Sequence, residues 1–246
     1  MRVIFNADDF GLTEGVNLGI LKAFKDGVVK STTLMVNMPF AEQAVKIANE
    51  NPELGVGVHL TVTAGPQLIK IKNSLVDENG DFHNKDLLYD YQVKLNEEEL
   101  YCEWKTQINK FIELMGKKPT HIDSHHHIHL IPKYLKVALK LAEEYGIPMR
   151  EQKWDNKNFE YIKLKQDFIY DGCKLEYFIN HEDELLKEDV IEVMCHPAFI
   201  DQNLLDKSSY NLARCGELSI LTSIELKEWI SKNKIKLINY GEIMNK

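Results

Sequence analysis

The 246-residue sequence has few cysteines and no long apolar run. These two features argue against a disulfide-rich secreted protein and against a membrane-spanning protein. The four cysteines are Cys102, Cys173, Cys195 and Cys215, and no pair has C-x-x-C spacing. The acidic start of the chain also lacks the apolar core of a signal peptide. We therefore expect reduced thiols and a cytoplasmic protein rather than a disulfide framework. No apolar stretch approaches the ~20 residues that cross a bilayer, so no membrane partner is expected.

Concentrated positive charge is absent as well. The net charge is −8 and no basic stripe is present, which argues against nucleic acid as a partner. With 13 glycines and 7 prolines, the chain has too little of either for a disordered segment. The length suits one α/β domain that spans residues 1–246.

Short β-rich segments alternate with helical patterns along the whole chain. The predicted strands are 2–6, 32–36, 56–60, 119–124, 147–150, 167–171, 191–195 and 235–239. The predicted helices are 14–26, 41–50, 97–115, 132–144 and 223–232. This alternation predicts an α/β fold, a distorted TIM-like (β/α) barrel of about seven parallel strands. Two long excursions, 62–96 and 151–190, interrupt the rhythm, and we expect them near the active-site mouth because such loops often form walls or lids.

Histidine is the residue that the sequence concentrates. Five of the nine histidines fall within residues 121–129. Histidine is the commonest metal ligand, although a partly solvated corner with core imidazoles is the alternative interpretation. If residues 119–124 are extended, His121 and His125 lie about 13 Å apart at roughly 3.3 Å per residue. One metal ion therefore cannot bind both, since its ligand nitrogens sit about 2 Å from the ion.

Polar residues follow four of the predicted strands at the same end. They are Asp8, Asp9, His59, His125 and His196. The carboxyl ends of parallel strands form one face of the fold, and that face carries the active site. One aspartate with two histidines binds Zn²⁺, Fe²⁺, Co²⁺ and Ni²⁺ well, and Mg²⁺ or Mn²⁺ tolerably. His127 is the main rival of His125 as a ligand.

Two adjacent aspartates can divide the work, because one can bind a metal while the other stays free as a base. The alternative is capping of the following helix, which Thr13 can provide instead. Asp123 is a candidate for orienting a neighbouring imidazole. His196 precedes Pro197, is therefore biased to an extended conformation, and could protonate a leaving group. Together these residues predict a metal-dependent hydrolase.

Two other functions are compatible with the pattern. A metal phosphoesterase usually needs two metals and a basic phosphate contact, for which Arg150 is the candidate. A non-catalytic sugar-binding barrel is the other. Trp154, Phe199 and Tyr210 are candidates either for stacking on sugar rings or for packing.

Several motifs in order along the chain carry a family resemblance. They are Asn6-Ala7-Asp8-Asp9-Phe10-Gly11, Gly57-Val58-His59-Leu60-Thr61, the segment 118–129, Glu192-Val193-Met194-Cys195-His196-Pro197, and Arg214-x-x-Glu217. In these motifs the chain resembles the YdjC-like carbohydrate deacetylases, specifically the chitooligosaccharide deacetylase branch.

The resemblance implies removal of acetyl groups from N-acetylated sugars such as chitobiose, with a divalent metal, usually Mg²⁺. It implies Asp9, His59 and His125 as the metal ligands and Asp8 as the base, while His196 is the candidate acid. Asn37, His127 and Arg150 are predicted to contact the carbohydrate substrate. Zn²⁺, Co²⁺ and Ni²⁺ stay open as metals, and so does a homodimer.

Overall fold

The fold is built on one parallel sheet. In the computed structural model, the described residues are 1–71, 73–151 and 161–243. The strands are β1 (Arg2–Phe10), β2 (Ser31–Leu34), β3 (Gly55–Leu60), β4 (Ile122–Ser124), β5 (Lys163–Lys165), β6 (Val190–Cys195) and β7 (Lys236–Leu237). Their order is β4-β3-β2-β1-β6-β5, and β7 pairs with β1. Every one of these pairings is parallel.

Central β1 is buried over almost its whole length, because both faces of a parallel sheet are covered. Phe5 on β1 packs on Phe178 with ring centroids 5.8 Å apart. Within the described residues no ladder joins the two outer strands, β4 and β5. The predicted α/β barrel class is confirmed in the form of a curled half-barrel.

Helices connect the strands. They are α1 (Glu14–Lys25), α2 (Ala41–Glu50), α3 (Lys85–Tyr89), α4 (Glu97–Met115), α5 (Pro132–Tyr145), α6 (Leu175–Asn180), α7 (Glu182–Leu185), α8 (Gln202–Lys207), α9 (Ala213–Leu221) and α10 (Ile224–Lys232). The five predicted helices agree with α1, α2, α4, α5 and α10 to within one residue at either end. The five others escaped prediction; four have six residues or fewer, too few to show a helical period. No helix in the described ranges is long and apolar enough to cross a membrane.

Helix ends follow the local chemistry of their sequences. Thr13 caps α1, since its side chain accepts a hydrogen bond from the backbone N–H of Val16. Gly116 and Gly146 end α4 and α5 in the left-handed conformation, with φ of 66° and 65°. Because Thr13 performs the capping, the two aspartates before it are available for other contacts.

Two predicted strands differ from the structure. Residues 147–150 form only a single bridge, between Met149 and Ile122. Residues 167–171, the sixth predicted strand, are not a strand. The strand in this part of the chain is β5, which lies a few residues earlier. Phe168 packs its ring on Phe178 at 5.1 Å, and Tyr170 has a φ of 47°, which extended strands exclude. The apolar pattern there reflects an aromatic cluster rather than a ladder.

The excursion 62–96 is tied to α4. The buried carboxylate of Glu103 accepts hydrogen bonds at 3.0 Å from the backbone N–H groups of Leu68 and Ile69. The turn at Gly80, with φ of 86°, closes a short hairpin. These contacts hold the excursion over the carboxyl ends of the strands.

Candidate active site

The site begins with an irregularity in β1. The register between β1 and β2 shifts between Ala7 and Phe10, and Asp9 has a φ of 71°. In a regular strand, adjacent side chains point to opposite faces. The irregularity instead lets Asp8 and Asp9 line the same cavity.

Asp9 meets two imidazoles at the mouth. Its Oδ1 lies 2.9 Å from His125 Nδ1 and 3.4 Å from His59 Nε2. One ligand atom from each of the three residues lies within 4.8 Å of the others. Asp9 and His59 are buried, whereas the side chain of His125 is 14% exposed and opens to the cavity. A carboxylate oxygen and two imidazole nitrogens in this grouping suit a divalent cation.

The opposite edge of the His59 ring, which carries Nδ1, contacts a second carboxylate. Its Nδ1 lies 2.7 Å from Asp123 Oδ1, and the hydroxyl of Thr33 donates to Asp123 Oδ2 at 3.0 Å. This contact orients Nε2 of His59 toward Asp9, as carboxylates commonly do for metal-binding imidazoles. Burial lowers the pKa of His59, but the carboxylates of Asp123, Asp9 and Asp8 together raise it to about 10. The expectation that Asp123 orients an imidazole agrees with this geometry.

The second oxygen of Asp9 has a cationic partner. Nη2 of Arg214, from α9, donates to Asp9 Oδ2 at 2.6 Å. Burial raises the pKa of Asp9, yet Arg214 and His125 together hold that pKa well below its usual range. Asp9 is therefore an anion with one oxygen directed to the imidazoles.

Asp8 has different partners from its neighbour. Arg150 donates to it twice, from Nη1 to Oδ2 at 2.7 Å and from Nη2 to Oδ1 at 2.6 Å. The side-chain amide of Asn6 adds a hydrogen bond to Oδ1 at 2.8 Å. Burial raises the pKa of Asp8, and the Arg150 guanidinium more than offsets it, so that pKa is lowered.

Arg150 is the centre of a buried polar cluster, the interior network, formed by Asp8, Asp123, Arg150, Glu192 and Tyr240. Arg150 donates from Nε to Glu192 Oε1 at 2.9 Å, and its Nη2 lies 3.0 Å from Asp123 Oδ2. The Tyr240 hydroxyl donates to Glu192 Oε2 at 2.5 Å. The side chain of Arg150 is fully buried and its donors face carboxylates, so its predicted contact with substrate gains no support from this geometry.

Asn37 is also absent from the walls of the cavity. Its side-chain amide donates at 3.0 Å to the backbone oxygens of Ala64 and Pro66. In this structure Asn37 anchors the start of the excursion 62–96, and its predicted contact with substrate stays a prediction.

The histidine cluster spreads because its backbone turns sharply after β4. His126 and His127 have φ of 56° and 52°, in the left-handed region. His126 then reaches Thr63 Oγ1 at 3.0 Å, while His127 lines the cavity outside the Asp9, His59 and His125 grouping. His121 lies beneath the site, where it stacks on Tyr240 with ring centroids 3.7 Å apart.

His196, at the end of β6, lines the same cavity. Its backbone N–H donates to Glu217 Oε2 of α9, and its ring Nδ1 lies 3.6 Å from Glu217 Oε1. Tyr210 packs its ring edge against the imidazole at 5.3 Å. His196 is thus held between α9 and the loop before it.

The cavity has a volume of about 900 Å³. Its walls come from the strand ends and from both excursions, with Lys85, Asp86, Tyr89, Gln166, Asp167 and Tyr170 among the lining residues. A second cavity of about 580 Å³ shares Lys85, His125 and His126 with it. Tyr210 lines the larger cavity, whereas Phe199 does not. Trp154 lies outside the described residues.

The fold and site define a parallel half-barrel whose strand ends bring an aspartate and two histidines together in an open cavity. A family model described as YdjC-like protein matches residues 2–232. The chain therefore belongs to the YdjC-like family, and the predicted resemblance is confirmed.

Two relatives and one solved structure are closely similar. A carbohydrate deacetylase of Clostridium beijerinckii is 43% identical, over 99% of this chain and 100% of the relative. A carbohydrate deacetylase of Vibrio parahaemolyticus is 42% identical, over 100% and 97%. A crystal structure from Enterococcus faecalis, described as a "putative cellobiose-phosphate cleavage protein", is 37% identical with a TM-score of 0.88 over 98% of both chains.

The partners that surround the site are not predicted by the sequence motifs. Arg214 and Glu217 entered only as part of a family motif, without a role. Thr33, in β2, was not considered as a contact of Asp123. A signal was present for Glu217 and Arg214, because acidic and basic residues three apart on a helix share one face.

Proposed function

We propose that this protein is a metal-dependent carbohydrate deacetylase that releases acetate from N-acetylated, chitooligosaccharide-like sugars. The observation that carries the proposal is the pairing, in one cavity, of a three-ligand grouping with a separate carboxylate. Asp9, His59 and His125 form the grouping, and Asp8 lies beside it. The names of the two relatives support the same activity.

The proposed ligands have room for a substrate beside them. Asp9, His59 and His125 would hold the divalent cation, with Mg²⁺ as the family expectation. Such a cation supplies Lewis acidity toward the acetamide carbonyl and lowers the pKa of an attacking water. Three protein ligands leave coordination positions open, as catalytic sites require.

Asp8 is proposed as the general base. Arg150 binds its two oxygens and keeps the carboxyl ionised, so that it can accept a proton from water. The guanidinium also fixes the Asp8 carboxylate in one orientation, which reduces the entropy lost when the base is aligned with the attacking water. His196, on the same cavity, is proposed to donate a proton to the departing amine.

The walls of the cavity suit a sugar. Tyr89 and Tyr170 are 44% and 61% exposed, and both line the cavity. Aromatic faces pack on the C–H faces of sugars, while the neighbouring Asp86 and His127 offer hydrogen bonds to hydroxyl groups. His127 stays a proposed substrate contact on this basis.

A two-metal phosphoesterase is less well supported. A second grouping of potential ligands exists, formed by Asp8, His59 and Asp123. Arg150 already binds Asp8 and Asp123, and a second cation would lie close to that guanidinium. Arg150 also cannot serve as the phosphate contact, since it is fully buried.

We further propose that residues 1–246 form one deacetylase domain whose two excursions wall the site. A cytoplasmic location and a homodimer are proposals from the sequence that fractionation and ultracentrifugation can decide.

The test is acetate release from diacetylchitobiose by the purified protein. We expect activity that chelator abolishes and that returns with a divalent metal, with Mg²⁺, Zn²⁺, Co²⁺ and Ni²⁺ compared. Phosphate release from a generic ester without acetate release would replace this function by a phosphoesterase. Sugar binding without turnover under every metal would favour a non-catalytic barrel.

A further inference from the structure

We propose that Arg214 and Glu217 act as a pair of positioning residues, in which one turn of α9 aligns both sides of the site. Arg214 holds the metal-ligand candidate Asp9, and Glu217 holds the acid candidate His196. The inference rests on the proposed function for its metal site and for its kinetic readout, whereas its amide-exchange readout is independent of both.

The two residues share the buried face of α9. They are three positions apart, and their exposed fractions are 2% for Arg214 and 0% for Glu217. Oppositely charged side chains at this spacing commonly pair with each other. Within the described residues no ion pair joins these two, because each is directed to a different strand end.

Arg214 controls which oxygen of Asp9 faces the imidazoles. Its Nη2 donates to Oδ2 at 2.6 Å, so that Oδ1 is left for His125 and His59. Its Nε donates to the backbone oxygen of Tyr210 at 2.6 Å, which fixes the direction of the guanidinium. A carboxylate fixed in this way presents one oxygen as a ligand without losing rotational freedom on binding.

Glu217 acts on the opposite side of the cavity. Its Oε2 accepts the backbone N–H of His196, and its Oε1 accepts the hydroxyl of Tyr210. The imidazole Nδ1 of His196 lies 3.6 Å from Oε1, beyond ordinary hydrogen-bond distance. Glu217 therefore positions the backbone that carries the ring, and its carboxyl group lies beside the ring.

Tyr210 joins the two halves. Its hydroxyl binds Glu217 while its backbone oxygen binds Arg214, and the Arg214 guanidinium lies 5.4 Å from its ring centroid. Its predicted alternatives were sugar stacking or packing. The contacts indicate that support of the site is its main role, with Tyr170 lying edge-on to it at 4.6 Å on the cavity side.

The test separates metal affinity from turnover. Metal-stripped variants are titrated with Co²⁺ by calorimetry, and acetate release is measured with saturating metal. We expect Arg214→Gln to weaken Co²⁺ binding by about 10- to 100-fold. Glu217→Gln should retain wild-type Co²⁺ affinity but lose at least about tenfold in kcat, with KM little changed. Exposed Ser219 on the same helix provides the matched control, and Ser219→Ala should change neither quantity.

A third measurement does not depend on activity. Glu217→Leu removes the acceptor of the His196 N–H, and hydrogen exchange at that amide should become faster, while Arg214→Lys leaves it unchanged. Wild-type Co²⁺ affinity in Arg214→Gln, or equal loss of Co²⁺ affinity in the Arg214 and Glu217 variants, would overturn the proposal. If Arg214→Gln does not fold, Arg214→Lys, which keeps the charge without the forked donor, must bind Co²⁺ more weakly than wild type.

A wild-type protein that releases no acetate would refute the proposed function, while Co²⁺ affinity and amide exchange would still decide this inference.

Discussion

Asp8 and Asp9 are neighbours in β1, yet they belong to two different regions of the molecule. Asp8 is the upper end of the interior network, where Arg150 binds both of its oxygens. Asp9 is part of the mouth, where Arg214 binds one oxygen and the other faces His59 and His125. Burial is almost the same for both, at 2% and 1% exposure, so the partners alone distinguish them.

The number of carboxylate oxygens that an arginine binds explains how two aspartates can have different chemical roles. A guanidinium that binds both oxygens leaves an ionised carboxylate without a favourable cation position. A guanidinium that binds one oxygen leaves the other as a ligand. The interior network also places three carboxylates around Arg150, and burial raises the pKa of Glu192 among them. Burial, rather than repulsion from Asp8, is the main cause of the raised pKa of Glu192.

The largest expected effect separates the two aspartates directly. We expect Asp9→Asn to abolish metal binding in calorimetry, because it removes the only anionic member of the ligand grouping. Asp8→Asn should bind metal within a few-fold of wild type and lose about 10²- to 10⁴-fold in kcat, the usual contribution of a general base. An Asp8→Asn protein with a near-normal rate would contradict the proposed base.

A second prediction breaks the interior network alone. Arg150→Met leaves Asp8, Asp123 and Glu192 without their shared cation, and we expect the free energy of unfolding to fall by about 3–5 kcal/mol. Urea denaturation followed by circular dichroism measures this change. The control at the mouth is Lys85→Met, an exposed residue on the cavity wall, which should change stability by less than about 0.5 kcal/mol. Equal effects of the two substitutions would remove the distinction between the regions.

The smallest expected effect concerns His121, which stacks on Tyr240 of the interior network, and the pH dependence of the free energy of unfolding. Burial lowers the pKa of His121 to about 3, whereas the unfolded residue titrates near its ordinary value of 6.5. Between these values only the unfolded state binds the proton, so the native state loses stability as the pH falls. His121→Phe should keep the stacking on Tyr240 and reduce this slope by about 1.4 kcal/mol per pH unit between pH 6 and pH 4. Urea midpoints measured over that range would show no change in slope if His121 were protonated in the folded protein.

Much of the fold followed from local patterns. Strands β1, β3 and β6 carry short apolar runs before their polar ends, and their buried character is typical of a parallel sheet. Since parallel strands end at one face, topology predicts that the aspartates and histidines at the strand ends meet there. The family resemblance, not topology, singles out Asp9, His59 and His125 among them as the metal ligands. The partners of Asn37 and Arg150 were not predictable in the same way, because a motif names the residue type but does not say which groups its side chain faces.

Local patterns in the sequence are enough to predict the central strands, five of the ten described helices and the polar residues at the strand ends, and the motifs are enough to predict the family. Those properties depend on short-range periodicity and on the rules for connecting parallel strands. The partner of each aspartate, in contrast, depends on how the chain packs in three dimensions. Alternation in a regular strand would send Asp8 and Asp9 to opposite faces, and a local irregularity in β1 brings them together. Arg150 and Arg214 reach them from more than a hundred residues away. Such pairings depend on where distant elements pack, which no local pattern contains.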